Sequence, residues 1–257
     1  MSQDESGKPP RSSGVSREDA LPEMSLMEHL TELRYRLIVS IVGVVALTVL
    51  SWFFADLLYN FLVAPVVRLL PADANRLTYL SLTEPFVLYL KVAALSGVFF
   101  GSPLLIYQAW MFVAPGLFSR ERRYALPVIG SSIFCFLAGG AFGYFILFPV
   151  MANFFLTLGQ DFRQMLTVNN LFGFLVRTLF GCALIFEWPI VVFFLARLGL
   201  LTAGAMWRNF RYAVLGIFVV AAIVTPTPDM ATQTILAVPM LGLYLFGILV
   251  ARIVEPR

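Results

Sequence analysis

Long apolar segments with almost no charge recur along this chain, and they constrain its fold more than any other feature. The first, about residues 37–55, carries no charged side chain at all. A helix needs about 20 apolar residues to cross a hydrocarbon core of about 30 Å. Because 60% of the residues are hydrophobic and 13% are charged, against roughly 25% charged in soluble domains, the sequence predicts an all-α membrane protein and excludes a soluble globule.

The apolar segments predict a membrane domain of six transmembrane helices over residues 24–251. The expected spans are about residues 37–55, 86–107, 126–149, 171–196, 212–224 and 230–251. The fifth and sixth helices are predicted to be short, because the fifth segment supplies only about 20 Å of helix. Interfacial helices are expected in the two outer loops, residues 56–85 and 150–170, which are only partly apolar. Residues 1–23 are predicted to be a disordered cytoplasmic tail, and residues 252–257 a cytoplasmic C-terminal tail.

The lysines and arginines predict which way the chain crosses the membrane. Most of the 18 cationic side chains flank the predicted spans on the side of the two termini. The other side holds Arg68, Arg76 and Arg163. Since cytoplasmic loops are enriched in lysine and arginine, both termini are expected in the cytoplasm. A re-entrant hairpin in place of the last two spans would give the same distribution, so that alternative stays open.

Residues that commonly carry catalysis or bind metals are scarce. Neither Lys8 nor Lys91 closes a phosphate-binding glycine loop. The single histidine, His29, precedes the first span, which excludes a histidine-based metal site or a Ser-His-Asp site inside the membrane. Cys135 and Cys182 lie in apolar runs, where packing as small hydrophobic side chains is the simpler interpretation. We therefore expect no enzymatic activity, no cofactor and no metal.

One acidic candidate for binding a cation lies just before the first span. Glu32 belongs to a helical pattern, and its simplest interpretation is an i,i+4 ion pair with Arg36, worth about 0.3–0.5 kcal/mol. Arg34 is an alternative partner. The spacing alone does not choose between these pairings and a role in binding.

A second acidic candidate lies in the segment Gln108–Arg123, where a long apolar run gives way to a compact charged loop. The segment contains the aromatic Phe112, then a Pro-Gly break, then Glu121. The simplest interpretation of Glu121 is a solvated acid neutralised by its neighbours Arg120, Arg122 and Arg123. A lone carboxylate beside exposed aromatic side chains at a membrane surface is also suited to bind a cationic, amphipathic segment.

Polar side chains also interrupt the later apolar segments. Glu187 lies near the middle of the predicted fourth span, where a carboxylate costs at least about 2.5–3.5 kcal/mol, so a functional role is its default interpretation. The alternative is a protonated carboxyl group hydrogen-bonded to a neighbouring helix. Asp229 follows a proline-rich turn and is most simply a turn or cap residue. Gln233, inside the sixth span, needs an interhelical hydrogen-bond partner.

Several motifs occur in one order along the chain and together resemble the TatC family. They are His29-Leu30-Thr31-Glu32-Leu33-Arg34, Ala64-Pro65, Tyr107 to Leu117 with Glu121-Arg122-Arg123, Phe186-Glu187-Trp188-Pro189, Thr225-Pro226-Thr227-Pro228-Asp229, and Gln233 to Met240. The resemblance covers about residues 24–251. The turn departs from the family pattern because Thr227 separates its two prolines, and we expect no functional consequence.

The resemblance implies a function. TatC proteins are six-span receptors of the twin-arginine translocase in the bacterial inner membrane, with both termini in the cytoplasm. This translocase exports folded proteins using the proton motive force, and its receptor binds the Arg-Arg pair of a signal peptide at the cytoplasmic face. The implied partners are twin-arginine signal peptides and the single-span subunits TatA and TatB, in a multimeric complex.

The resemblance also implies roles for individual residues. Those implied in signal-peptide binding are Glu32, Arg34, Phe112 and Glu121. Those implied in intramembrane contacts with partner subunits are Glu187, Asp229 and Gln233. Two carboxylates suit two adjacent arginines, because a guanidinium offers a planar fork of donors that lysine cannot copy.

Two other functions remain open from the sequence. A proton-coupled small-solute transporter fits an intramembrane glutamate and a short, broken helix pair. Against it, no internal repeat relates the two halves, and the membrane midplane offers little polar lining. A passive scaffold for other membrane subunits would leave Glu32 and Glu121 without a role.

Overall fold

The computed structural model describes residues 26–69, 77–113, 125–160, 166–225 and 229–255. Within these ranges the chain is almost entirely helical, which confirms the all-α prediction. The helices are α1 (Leu26–Trp52), α2 (Ala55–Val67), α3 (Glu84–Val113), α4 (Ala125–Phe142), α5 (Phe148–Leu158), α6 (Val168–Ile185), α7 (Trp188–Arg197), α8 (Ala203–Arg208), α9 (Phe210–Val224) and α10 (Met230–Val254). A π-helical turn, Gly143–Leu147, joins α4 to α5 without interruption. The predicted N-terminal tail, residues 1–23, lies outside the described residues.

In the described ranges, five helical segments are long and apolar enough to cross a membrane. They are Met27–Trp52, Glu84–Phe112, Leu126–Leu158, Val168–Arg197 and Met230–Val254. The predicted fifth span corresponds to α9, which is short, as expected, with 15 residues. The prediction of a short sixth helix is wrong, because apolar side chains continue to Val254 and α10 contains 25 residues.

The third span is longer than predicted. Residues 150–158 were expected in an outer loop, but they belong to α5 and continue the helix. The π-helical turn directly precedes the turn that holds Pro149, whose ring and missing N–H disfavour a regular α-helical hydrogen bond. A separate interfacial helix is therefore not found in the described part of this loop, and residues 161–165 lie outside it.

The helices α1 and α3 extend beyond their predicted spans at the same end of the bundle. α1 begins at Leu26 and so includes the helical pattern around Glu32 that precedes the predicted span at about 37, and α3 ends at Val113 rather than at about 107. Backbone hydrogen bonds form within a helix whatever the polarity of its side chains, so both helices continue past the apolar segments. We call this end, with the start of α1 and the end of α3, the terminal end.

The fourth span is broken in its middle. The predicted span at about 171–196 corresponds to Val168–Arg197, but its helix is interrupted, since α6 ends at Ile185 and α7 begins at Trp188. Pro189 lies in the first turn of α7, where its missing N–H is tolerated. Glu187 occupies the junction between the two helices.

Two apolar clusters hold the helices together. One packs α2 against α3, α5 and α6, and Val66, Phe148 and Leu175 are almost completely buried in it. The other packs α7 with α9 and α10 around Val192 and Leu236. Within a membrane such clusters stabilise the bundle through close van der Waals packing rather than through removal of the side chains from water, and they fix the positions of the polar groups between them.

The loops at the opposite end of the bundle are joined to each other. The amide of Thr78 donates to the carbonyl of Leu166 at 2.9 Å, and the amide of Val168 donates to the carbonyl of Thr78 at 3.0 Å. A helix is present in the first outer loop, as predicted, namely α2. The hydroxyl of Tyr144 donates to the carbonyl of Phe61 in α2. The opposite end is therefore cross-linked by hydrogen bonds between elements distant in sequence.

Candidate functional site

Glu32 and Arg36 form a partly buried ion pair at the terminal end. Arg36 Nη2 lies 2.5 Å and Nε 3.0 Å from Glu32 Oε1, and both side chains are only 17% exposed. The i,i+4 pairing considered from the sequence is confirmed. The alternative partner, Arg34, is exposed and forms no ion pair with Glu32.

Helix α3 completes this site from across the bundle. Arg36 Nη1 donates to Gln108 Oε1 at 3.2 Å. One turn further along α3, the ring of Phe112 stacks on His29 with centroids 4.3 Å apart and planes 19° from parallel. The structure therefore places Phe112 against His29, one turn before Glu32 on α1; a role of Glu32 and Phe112 in binding stays a prediction. We call Glu32, Arg36, Gln108, His29 and Phe112 the terminal-end site.

The second oxygen of Glu32 has unused acceptor capacity. Oε2 is buried and accepts no hydrogen bond within the described residues. An ionised carboxylate offers about four acceptor positions, and a buried polar atom without a partner costs about 1–3 kcal/mol. The terminal-end site can therefore accept a further hydrogen-bond donor, such as a cation.

The second predicted carboxylate, Glu121, lies outside the described residues, together with Arg120, Arg122 and Arg123. Its approach to Glu32 stays a prediction. Sequence reasoning missed Gln108 and His29 as parts of the site. The signal for Gln108 was its position four residues before Phe112, which places both on one face of a helix.

Glu187 is hydrogen-bonded to a neighbouring helix. The hydroxyl of Ser132 in α4 donates to Glu187 Oε2 at 2.5 Å. The other oxygen, Oε1, is buried and has no hydrogen-bond partner in the described part of the chain. Arg177, in α6, is exposed and does not pair with Glu187.

A close helix approach brings Ser132 and Glu187 together. A Cβ atom built on Gly139 would lie 2.6 Å from the carbonyl oxygen of Cys182 and 2.7 Å from Cβ of Phe186. Those distances are below normal contact, so only glycine permits α4 to pack this closely on the end of α6. Gly139 therefore serves the close packing of these two helices.

Asp229 caps the start of α10. Its Oδ1 accepts the backbone N–H of Thr232 at 2.8 Å and its Oδ2 accepts the hydroxyl of Thr232 at 2.6 Å. The simplest interpretation from the sequence is thus confirmed. Gln233 is half-buried, and within the described ranges its side chain shows no interhelical hydrogen bond. Asp229 and Gln233 lie at the opposite end, so the structure does not bring them into the terminal-end site.

An apolar groove is lined in part by Ile185 and Trp188, on either side of the α6–α7 junction, and Glu187 itself is not among its lining residues. It has a volume of about 540 Å³ and is open between α6, α7, α9 and α10. Its lining includes Leu184, Trp188, Val220, Met240 and Tyr244. Among the described residues, no group of three or more His, Cys, Asp or Glu side chains is placed to hold a metal ion.

Comparison with known proteins gives consistent matches over most of the chain. Residues 28–239 match the family described as Sec-independent protein translocase protein (TatC). The Sec-independent protein translocase protein TatC of Koribacter versatilis (strain Ellin345) is 43% identical over 242 residues, which cover 93% of this chain and 89% of that protein. TatCy of Bacillus subtilis (strain 168) is 36% identical over 236 residues, covering 90% of this chain and 89% of TatCy.

The fold also matches solved structures. A crystal structure of the twin-arginine translocase receptor TatC superposes with a TM-score of 0.77 at 32% identity, covering 88% of this chain and 99% of that one. A second crystal structure of TatC, in DDM, gives a TM-score of 0.78 with the same identity. These similarities support a protein translocase and give no support to a small-solute transporter. In sequence and in fold, the chain belongs to the family of the Sec-independent protein translocase protein TatC.

Proposed function

We propose that this protein is the receptor subunit of a twin-arginine translocase. It binds the Arg-Arg pair of a signal peptide at the cytoplasmic face and organises partner subunits for the export of folded proteins, driven by the proton motive force. The observation that carries the proposal is the terminal-end site. There, a partly buried carboxylate already holds a guanidinium and keeps one oxygen without a described partner. The role is binding rather than catalysis.

The geometry of Glu32 supports selection of arginine over lysine. Two donors of one guanidinium reach Oε1, at 2.5 and 3.0 Å. Such charge-assisted, multi-point contacts are shorter and stronger than neutral hydrogen bonds. An ammonium group is a compact point charge and lacks the rigid, planar fork of donors that a guanidinium presents. A low exposed fraction strengthens this discrimination, because water screens the pair less.

The other predicted residues extend the site around Glu32. The stacked rings of Phe112 and His29 offer an apolar surface for the hydrophobic stretch of a signal peptide. Glu121 is proposed as the second carboxylate, for the second arginine of the pair. Arg34 is exposed beside Glu32 and is proposed to border the bound peptide.

The terminal end is proposed to face the cytoplasm of a bacterium, with the helices in the inner membrane. The cations of the two tails and of the segment from Arg197 to Arg211, which precedes and begins α9, would then follow the positive-inside rule. The six spans are α1, α3, the continuous helix from α4 through α5, the broken helix α6–α7, α9 and α10. The fifth of these, α9, is shorter than a normal hydrocarbon core requires.

Partner subunits are proposed to bind near α9 and α10. The single-span subunits TatA and TatB are the partners implied by the family, and a multimeric complex follows from them. The apolar groove between α6, α7, α9 and α10 offers a surface of the right chemistry for a transmembrane helix. Gln233 is proposed to supply a polar contact to such a helix, and Glu187, whose Oε1 is buried, is proposed to contact a partner only after a rearrangement uncovers it.

Photocrosslinking tests the receptor proposal. A photoreactive amino acid replaces Ala109, which is exposed between Gln108 and Phe112, in membranes containing the whole protein. We expect crosslinks to a precursor with an Arg-Arg signal, weaker crosslinks to a Lys-Lys signal, and loss of crosslinks on Glu32→Gln or Glu121→Ala. The matched control is Glu255→Gln, which changes an acidic residue outside the site. Equal crosslinking of the Arg-Arg and Lys-Lys signals would refute the proposal.

A further inference from the structure

Arg36 occupies the position on Glu32 that an incoming guanidinium would take. We propose that Arg36 is an internal competitor, a built-in guanidinium that a signal arginine must displace from Glu32, and that Gln108 holds Arg36 after displacement. This inference rests on the proposed signal-binding function. It assigns Arg36 and Gln108 a role in setting the threshold for binding rather than in touching the signal.

Arg36 makes the hydrogen bonds to Glu32 that the arginine of a bound signal peptide would make. Its Nε and Nη2 atoms both bind Glu32 Oε1, and both side chains are largely withdrawn from solvent. An exposed i,i+4 pair contributes little because water competes for both charges. This pair is partly buried, so a displacing cation must replace its contacts with contacts of similar quality.

The pairing between Arg36 and Glu32 is incomplete, which allows displacement. Arg36 uses one oxygen of the carboxylate, while Oε2 stays buried without a described donor. Arg36 is attached four residues away on the same helix, and its Nη1 is held by Gln108. An arginine on a separate chain has neither restraint and can bind both carboxylate oxygens through parallel hydrogen bonds. An incoming arginine therefore forms as many hydrogen bonds to Glu32 as it displaces and also satisfies Oε2, whereas the ammonium of lysine lacks the planar pair of donors.

Gln108 gives Arg36 a partner that does not depend on Glu32. Its Oε1 accepts from Nη1 across the interface between α1 and α3 while Nε and Nη2 bind Glu32, so this contact is available to hold Arg36 once a signal arginine has taken Glu32. Because the amide is neutral, this contact persists when the signal neutralises Glu32. Without it, the displaced guanidinium would stay near Glu32 and compete more strongly.

Simple competition makes a quantitative prediction. Removing the competitor raises the affinity for every cationic ligand of Glu32 by the same factor, so the preference for Arg-Arg over Lys-Lys is unchanged. One charge-assisted hydrogen bond corresponds to about a tenfold change in affinity or more. Arg36 therefore keeps weak cationic ligands below the level at which they occupy the site.

The experiment measures binding of fluorescent Arg-Arg and Lys-Lys signal peptides to the full-length protein in lipid nanodiscs. We expect Arg36→Gln to tighten binding of both peptides by about tenfold, with their affinity ratio unchanged. Gln108→Leu should weaken both. The double variant should bind like Arg36→Gln alone, because Gln108 acts only through Arg36. Arg208→Gln, an exposed arginine in α8, is the control and should bind like the unmodified protein.

Each result decides between roles. Weaker Arg-Arg binding by a folded Arg36→Gln protein, or unchanged binding, overturns the competitor role and makes Arg36 a support for Glu32 or a bystander. If Arg36→Gln fails to fold, Gln108→Leu decides: weaker binding supports the inference, while unchanged or tighter binding overturns it. Failure of the proposed function looks different, because the unmodified protein would then bind both peptides equally or bind neither.

Discussion

Ser132 and Glu187 are joined by a 2.5 Å hydrogen bond between α4 and the junction of α6 with α7. Ser132 is 2% exposed, so no water replaces its hydroxyl if it is removed. This one hydrogen bond therefore both joins α4 to the α6–α7 junction and holds the carboxyl group of Glu187 in place.

Ser132→Ala removes the donor to Glu187 and should lower the free energy of unfolding. Interhelical hydrogen bonds in membranes contribute about 0.6–1.7 kcal/mol, and we expect a loss in this range. Thermal unfolding of the purified protein in detergent measures it. The matched control is Ser131→Ala, since Ser131 precedes Ser132 in the same helix but is exposed. Equal effects of the two changes would show that the bond to Glu187 contributes nothing.

Gly139→Ala should separate α4 from α6. The new Cβ would meet the backbone carbonyl of Cys182 at 2.6 Å, and relieving such overpacking costs about 1–3 kcal/mol. The control on the same helix is Gly130→Ala, because a Cβ on Gly130 meets nothing within 4 Å. The unfolding midpoint measured for both variants distinguishes close packing from a general loss of glycine flexibility. A stable Gly139→Ala protein would contradict the close approach of the two helices.

Asp229→Ala should destabilise the start of α10 by removing both hydrogen bonds to Thr232. Loss of such a cap costs about 0.5–2 kcal/mol. Asp229→Asn keeps an oxygen that accepts the backbone N–H, so it should restore most of the stability. Export of a reporter precursor is measured beside stability. Stable Asp229→Asn protein that fails in export would show that the charge has a role beyond capping.

Glu187→Ala should weaken assembly with partner subunits or transport more than it weakens signal binding. Glu187 lies at the junction of α6 with α7, away from the terminal-end site, so the two functions should separate. Co-purification of TatA and TatB measures assembly, and crosslinking from position 109 measures signal binding. Loss of crosslinking with normal co-purification would show that the proposed role of Glu187 in partner assembly is wrong.

Hydropathy predicted which segments are helical but not where the helices end. Residues 26–36 belong to α1 although several of their side chains are charged and the apolar segment begins only at about 37. Residues 150–158 continue a helix past Pro149. Helix ends depend on backbone hydrogen bonds and caps, which average polarity does not report. The break at Glu187 is different, because Pro189 is visible in the sequence and proline favours the first turn of a helix.

Only the local part of the site could be predicted from the sequence, because the contacts between helices depend on how the helices are placed. The pair of Glu32 with Arg36 follows from helical spacing, which is local. The contacts of Gln108 with Arg36 and of Phe112 with His29 depend on how α1 is placed along α3, and one sequence does not give that placement. Gly97 contributes to it, since a Cβ there would meet the backbone of Thr48.

The hydrogen bonds at the opposite end tie the segment before α3 to the segment before α6, through Thr78, and tie α2 to the helix that contains Tyr144. None of them involves α1, which packs mainly along α3. The position of α1 on α3 therefore depends on their own interface, including the close approach at Gly97, and a change at the terminal end leaves the hydrogen bonds of the opposite end intact.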